Sequence, residues 1–378
     1  MICSKNHCTG CYACVNACPM NCIEMIEDEL GNVYPQINQD ICIHCDLCKK
    51  ICPSLKDVEL KEPMDAYASW NKRDSIRLNS TSGGLATTFS KWILENEGVV
   101  YGAGWNHGIV EHLRITNVAA LNKIQGSKYT HSHIEYQYQN AKRDLLDNKL
   151  VLFIGTPCQI AGLYAYLQKK YDNLYTVDII CHGVPSQKLL REDVSVDFDE
   201  VYFRDKEGFN LTGYKNGNIL CKKPYYKSLY YQAFLDGVIY RENCYSCRYA
   251  QPKRVSDITI GDFWGLGELN SAQKEENKGI SVVLPNTEKG KSLLEQVNKD
   301  IFIEKRSVEE AVKGNSQLQH PTIRRSATDT FVKLYTDTHD LNKSLKEVLN
   351  YDSLINRLKR FVLDSSVLMK IILKIQKK

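Results

Sequence analysis

Two short blocks near the start of the chain constrain it more than anything else in its sequence. Cysteines stand at 8, 11, 14 and 18 with Pro19 next, and again at 42, 45, 48 and 52 with Pro53 next. Both blocks read C-x2-C-x2-C-x3-C-P, and each cysteine of the first recurs 34 residues later in the second. The chain has 15 cysteines in 378 residues; ten lie in the first 52 and five are spread over the remainder. An odd number cannot pair completely within one chain. The opening MICSKNHC has no basic segment followed by an apolar one, which predicts a chain without a secretory signal, kept in a reducing cytoplasm where thiols stay free. Crowded cysteines then point to metal ligation rather than disulfides.

The spacing is that of a bacterial two-cluster ferredoxin. Three cysteines two residues apart let one tight loop wrap three corners of a cube, while the fourth, turned away by its proline, ligates the other cluster. Cys8, Cys11, Cys14 and Cys52 are expected to hold one 4Fe-4S cluster, and Cys42, Cys45, Cys48 and Cys18 the second. Zinc prefers two cysteine pairs across a longer loop, which these blocks do not offer. Ile23–Ile26 and Val33–Ile37 read as short strands around the Leu30-Gly31-Asn32 turn. Cys3 and Cys22 are surplus to the eight ligands and read as small buried hydrophobes.

The length allows two to three domains at roughly 150 residues each. The 49 basic and 45 acidic side chains nearly cancel, which removes the simplest support for a nucleic-acid partner. No run of 18 apolar residues is present to span a membrane. A polar linker is expected over Lys56–Pro63. Beyond it, apolar strands (Val99–Tyr101, Leu150–Ile154, Leu174–Ile180) alternate with helical patterns (Gly84–Glu97, Ile134–Leu146, Gln159–Gln168), which argues for an α/β core with parallel strands. Asn216-Gly217 marks a hairpin between Leu211–Lys215 and Asn218–Lys222, a β insertion holding Cys221, which reads as structural. Ile280–Leu284 and Thr287–Val297 read as one more strand-helix unit. Neither a dinucleotide fingerprint nor a P-loop is present: YGAGWNHG at 101–108 lacks the third glycine, and Gly290-Lys291-Ser292 has Pro285 where the first P-loop glycine belongs.

Four further cysteines lie near strand ends. Cys158 follows the strand VLFI and Cys181 follows TVDII, so two parallel strands would bring both thiols to the carboxyl edge of the sheet, where open α/β sheets bind ligands. Cys244 and Cys247 form a C-x2-C pair. Two singles and a pair are enough for a third 4Fe-4S cluster. The alternatives at this point are a cysteine nucleophile assisted by His182, a redox dithiol, or half of a zinc site.

Several motifs, in order, resemble the beta subunit family of coenzyme F-420 hydrogenases and dehydrogenases. They are Ser80-Thr81-Ser82-Gly83-Gly84, Gly126-Ser127-Lys128-Tyr129, GTPCQ at 155–159, CHGVPS at 181–186, Cys244-x2-Cys247 and Gly261-Asp262-Phe263-Trp264-Gly265. The resemblance spans roughly 63–330, behind a ferredoxin domain at 1–56 and ahead of a helical basic tail at 331–378. It implies an α+β ferredoxin domain followed by a larger α/β flavin-binding domain with a β insertion and a C-terminal helix. It also implies FAD, a third cluster on Cys158, Cys181, Cys244 and Cys247, and FAD contacts from Ser80, Thr81, Ser82, Gly83, Gly84, Ser127, Lys128 and Tyr129. Glycines allow close backbone approach, a helix start favours pyrophosphate, and Lys128 adds a charge. The bland alternative is an ordinary helix cap with glycine in a turn.

A hydride carries two electrons and a cluster moves one; a flavin handles both. The expected function is therefore an iron–sulfur flavin oxidoreductase passing electrons between ferredoxin clusters, an inner cluster and FAD. Its partner is a redox protein or an organic hydride carrier, coenzyme F-420 or another substrate, with surface polysaccharide synthesis a role suggested for similar bacterial members. His182 is the candidate catalytic acid. The competing readings are a non-catalytic electron-transfer subunit and a metal-stabilised binding module. Finally, Leu354, Leu358, Phe361, Leu368, Ile371, Ile372 and Ile375 make an apolar stripe in residues 352–378, where seven basic residues and only Asp364 follow from Arg357 onward. Such a helix suits an anionic membrane surface or a partner; the alternative is docking on its own domain.

Overall fold

A computed structural model describes residues 2–205, 207–267 and 278–365. At the start, strands β1 (Ile23–Glu27) and β2 (Val33–Ile37) form an antiparallel hairpin, with Glu27 opposite Val33. Gly31 closes the turn at φ +78°, where a side chain would also run into Lys188. Short helices Ala13–Ala17 and Leu47–Lys50 each contain the third cysteine of their block.

The main sheet has eight strands. They are β3 (Ala66–Asn71), β4 (Val99–Asn106), β5 (Ile109–Ile115), β6 (Val151–Gly155), β7 (Leu174–Ile179) and three more from later in the chain. A separate three-stranded sheet intervenes: β8 (Glu200–Tyr202), β9 (Asn210–Lys215) and β10 (Asn218–Pro224). Then come β11 (Ile258–Asp262), β12 (Ser281–Pro285) and β13 (Ile301–Arg306). The order across the main sheet is β13-β3-β12-β11-β7-β6-β4-β5.

The expected parallel core is only the centre of this sheet. The pairings β4·β6, β6·β7 and β7·β11 are parallel, and the remaining four are antiparallel. The strand at Ser281–Pro285 and its helix Glu288–Gln296 form as the pattern predicts, but β12 runs antiparallel to both neighbours. Periodicity reports which residues are buried; it carries no sign for strand direction. The fully buried runs Val151–Phe153 and Val282–Leu284 show why both strands read as near-continuous apolar segments. The Asn216-Gly217 turn has φ +49° and +75°, the doubly positive geometry of a tight hairpin, and a bulge lies between Ile219 and Cys221.

The ferredoxin region does not hang from a free linker. Ile2, Tyr12, Val15 and Ile51 share one core with Ile134, Tyr138, Ile160 and Leu163. Gly162, inside the helix Pro157–Leu167, makes room for this contact: a Cβ there would stand 3.0 Å from the Cys11 Cβ. The polar stretch expected as a linker is likewise tied down, with Lys61 paired to Arg254 in an isolated bridge and Arg248 donating to the Pro53 and Lys56 carbonyls.

The C-terminal helix Leu354–Asp364 attaches by its polar side. Asn356 donates to the Leu349 and Asn350 carbonyls, Asp364 pairs with Lys227 at 2.8 Å, and Arg360 lies over the Tyr351 ring. Leu354, Leu358 and Phe361, which belong to the expected apolar stripe, are 73%, 56% and 66% exposed. Leu368, Ile371, Ile372 and Ile375 lie outside the described residues. No described helix is long and apolar enough to cross a membrane.

Candidate redox site

The cysteines expected to hold each ferredoxin cluster lie near one another. Cys8, Cys11 and Cys52 are buried and Cys14 partly so. Burial, and then the neighbouring Cys11, Cys8 and Cys52, push the Cys14 thiol well above its usual pKa, so the four sulfurs share one electrostatic neighbourhood. Cys18, Cys42, Cys45 and Cys48 line a cavity of about 190 Å³ with Met20 and Ile43, and Cys45 is exposed. Both blocks turn tightly: Tyr12 and Asp46, one residue beyond the second cysteine of each, have φ +62° and +55°.

The two surplus cysteines are not bystanders. The Cys22 sulfur lies 3.3 Å from that of Cys18 and also neighbours Cys42. Cys3 neighbours Cys52 and Cys8. Each therefore touches the first cysteine of one block and the last of the other, a contact that burial-based reading of isolated cysteines misses. Cys221 sits on β10 against Gly213, away from these groups.

The sheet assembles the third set. β6 and β7 are adjacent and parallel, so Gly155 and Ile179 end at one edge. Beyond β6, Thr156 caps the helix that carries Cys158: its backbone N–H donates to Gln159 Oε1 at 2.9 Å, and Pro157 opens the first turn. Beyond β7 stands Cys181. Cys244 and Cys247 come from a short 3-10 turn (Glu242–Ser246) and the residue after it. All four line one small cavity of about 30 Å³, together with Thr9 of the first ferredoxin block. Burial pushes the Cys158 and Cys181 thiols up to about 12, and neighbouring thiols add to it. Ionising four such thiols together needs a cationic core, since a coordinating metal deprotonates a thiol outright. The donor set fits an iron–sulfur cluster. Among the described residues, no three Cys, His, Asp or Glu side chains are grouped so as to hold a single metal ion. Behind them Arg254 pairs with Asp178 at 3.0 Å, both side chains almost fully buried.

A larger cavity of about 280 Å³ adjoins the third set. Ser80, Thr81, Ser82, Gly84, Ser127, Lys128 and Tyr129 all line it. Gly83 does not: its N–H donates to Ser281 Oγ, and a Cβ would lie 2.4 Å from the Ser69 carbonyl. This glycine is required by the sheet, not by a ligand. Gly84, at φ +83°, starts the helix Leu85–Glu95, whose first turn faces the cavity. Ser127 N–H donates to Thr81 Oγ1 at 2.7 Å, locking the two motifs together. Lys128 donates to the Gln125 and Gly126 carbonyls at 2.7 and 3.1 Å, and burial lowers its pKa to about 7. A buried ammonium held by carbonyls, beside a helix N-terminus, suits an anionic ligand group. The residues expected to contact FAD thus line one cavity, Gly83 excepted.

His182 lines both cavities, with Gly183, Val184, Thr156 and Cys181. Burial lowers its pKa. Sequence reasoning missed Arg204, which follows β8 and reaches the large cavity from the β insertion. It pairs with Asp262 at 2.6 Å and donates to the Thr81 carbonyl, while its Nε has no partner among the described residues. His131 and His112 were missed as well. His112 bonds Ser132 and the Ile154 carbonyl, and burial takes its pKa down to about 4. Nothing in local sequence marks these three; only the insertion's return path and the β5 register bring them here.

Residues 148–311 match the family model for the C terminus of the coenzyme F420 hydrogenase/dehydrogenase beta subunit, and residues 7–55 match that of the 4Fe-4S dicluster domain. An uncharacterized protein of Methanocaldococcus jannaschii is 25% identical over 200 residues, 45% of this chain and 55% of that protein. An uncharacterized polyferredoxin-like protein of the same organism is 37% identical over 54 residues, 12% of this chain and 32% of that one. The chain thus spans only about half, or a third, of these relatives. A chain of the F420-reducing [NiFe] hydrogenase complex from Methanosarcina barkeri aligns with TM-score 0.46 and 15% identity, over 74% of this chain and 96% of that one.

Proposed function

From a chain that belongs to the coenzyme F420 hydrogenase/dehydrogenase beta subunit family over residues 148–311 and carries a 4Fe-4S dicluster domain at 7–55, we propose an iron–sulfur flavin oxidoreductase. It exchanges electrons between two ferredoxin clusters, an inner cluster on Cys158, Cys181, Cys244 and Cys247, and FAD, with coenzyme F-420 or another organic substrate beyond. The observation that carries this reading is the shared wall. Cys181, His182, Gly183 and Val184 border both the inner thiol cavity and the large cavity, and Thr9 joins the inner thiols to the first ferredoxin block.

A bound flavin supplies exchange between a two-electron hydride and single electrons. The chain's own part is to hold and exclude. The helix start at Gly84–Thr87 and the Lys128 ammonium offer donors and charge to a pyrophosphate. Tyr129, stacked on Phe234 at 4.6 Å, gives an apolar wall. At about 280 Å³ the cavity lies near the lower bound of small-molecule sites, which suits the ring end of a dinucleotide better than the whole of it. His182 stands at the wall where a proton would accompany the electrons. The domain limits 1–56, 63–330 and 331–378 are part of this reading, although the first two share a core.

Anaerobic purification with metal analysis and a visible spectrum tests it. The expected result is about twelve irons and one flavin per chain. About eight irons without flavin would favour the electron-transfer subunit, and zinc in place of iron the binding module.

A peripheral place at the inner face of the membrane is a second part of the proposal. It is supported by the outward apolar face of Leu354–Asp364 and the basic residues around it. Sedimentation with anionic vesicles, lost in Leu358→Glu/Phe361→Glu, is expected; an intact chain that stays in the supernatant ends the idea.

A further inference from the structure

Arg241 is 1% exposed. Its Nε donates to the Cys8 carbonyl at 2.9 Å. Its backbone N–H donates to the Val184 carbonyl, on the wall between the two cavities. It immediately precedes the turn that carries Cys244. One face of the guanidinium lies 4.2 Å from the Tyr34 ring centroid. Gly10, at φ +63°, lets the first ferredoxin loop lie against it: a Cβ there would be 3.3 Å from Arg241 Cζ and 3.1 Å from the His131 ring.

Among the described residues no carboxylate pairs with this cation. The adjacent Glu242 is committed to Arg324 at 2.9 Å, and Arg241 Nη2 has no hydrogen-bond partner among the described residues. Arg254, the other buried guanidinium near the inner thiols, has Asp178. A buried, uncompensated charge is costly unless an opposite charge faces it. The guanidinium stands between two sets: it is bonded to the Cys8 backbone in the first ferredoxin set, and it lies against Gly10, whose neighbour Thr9 lines the inner thiol cavity. It also disfavours protonation of His131, whose Nε2 is likewise unpartnered and which lines the large cavity.

We propose that Arg241 is a positioning residue that serves as the shared counter-cation of the first ferredoxin cluster and the inner cluster, and so sets both reduction potentials. The inference rests on the inner-cluster reading above. An electron arriving from outside adds one negative charge beside the guanidinium, and a fixed cation stabilises that added charge. With both clusters held, transfer between them would oxidise one as it reduced the other and would move no proton. The charge sum around Arg241 is then unchanged, so one residue holds both sides poised together. The outer set at Cys18, Cys42, Cys45 and Cys48 has no such contact from Arg241, and its potential is independent of it.

Potentiometric titration of the anaerobically loaded full chain, followed by electron paramagnetic resonance, tests this. In Arg241→Gln, reduction of the inner and first clusters is expected to become about tenfold less favourable, a fall of about 59 mV for a one-electron couple. The outer cluster is expected to keep its potential. Arg241→Lys keeps the charge and is expected to stay within about threefold of the parent, half a decade on the same scale. A fully loaded Arg241→Gln with unchanged potentials overturns the proposal. If that variant loses iron, the lysine variant decides: near-parental potentials support the charge, and a tenfold fall despite the retained charge rejects it. About eight irons in the parent would instead remove the inner cluster, and with it the reading on which the bridge rests.

Discussion

The outer and the inner cysteine sets use four thiols each, yet they are built in opposite ways. Cys42, Cys45 and Cys48 lie within seven residues, joined by Cys18, on a short hairpin region whose cavity opens to solvent at the exposed Cys45. Cys158, Cys181, Cys244 and Cys247 span 90 residues and meet only because β6 and β7 are parallel neighbours and a later turn folds over their ends. A loop can preorganise the first set by itself. The second is a property of the whole sheet. Local spacing therefore reports an outer site, and packing decides an inner one.

The sharpest way to break this comparison is to remove one ligand from each. Cys247→Ser is expected to lower iron by about four per chain and leave the ferredoxin signals, while Cys45→Ser does the reverse. Equal loss of both signals in either variant would mean that the sets are not independent. The next effect is on the scaffold. Arg254→Met strands Asp178, which is fully buried and already has one oxygen without a partner among the described residues. Leaving such a charge uncompensated costs about 3–5 kcal/mol. Urea unfolding is expected to shift by that much, with the inner cluster lost before the outer one.

A smaller effect is expected where the two regions meet. Gly162→Ala inserts a methyl against Tyr138 Oη and Cys11 at 2.8 and 3.0 Å. Overpacking of this kind costs about 1–3 kcal/mol. The change should weaken the first ferredoxin set and spare Cys42–Cys48, as read by the rate at which chelator removes each cluster. The smallest effect belongs to the surplus thiols. Cys22→Ala is expected to leave iron unchanged and stability within about 1 kcal/mol, since one weak thiol hydrogen bond is lost. Loss of about four irons would make Cys22 a ligand and upset the assignment of Cys18.

The two regions also differ in how much of them was legible. The eight block cysteines, the β1–β2 hairpin and the Asn216-Gly217 turn were readable because each is fixed by residues a few positions apart. The strands of the main sheet were readable as elements, since burial leaves continuous apolar runs such as Val151–Phe153. Their directions were not, because β3, β12 and β13 bury the same side chains whichever way they run. The large cavity was half legible: Ser80–Gly84 and Gly126–Tyr129 stood out, while Arg204, His112 and His131 did not. Gly83 looked like a ligand contact and is a sheet contact, since glycine signals close approach without naming what approaches.

What the sequence determined by itself is the ferredoxin repeat, because a cubane's ligands can be supplied by a loop whose geometry is set by spacing and proline alone. What only the tertiary structure decided is the junction. Arg241, Gly10, Gly162 and the wall at Cys181–Val184 are distant in sequence and unremarkable in composition. They became a connected path because packing one core through both regions forced the first ferredoxin loop, the inner thiols and the large cavity to share walls.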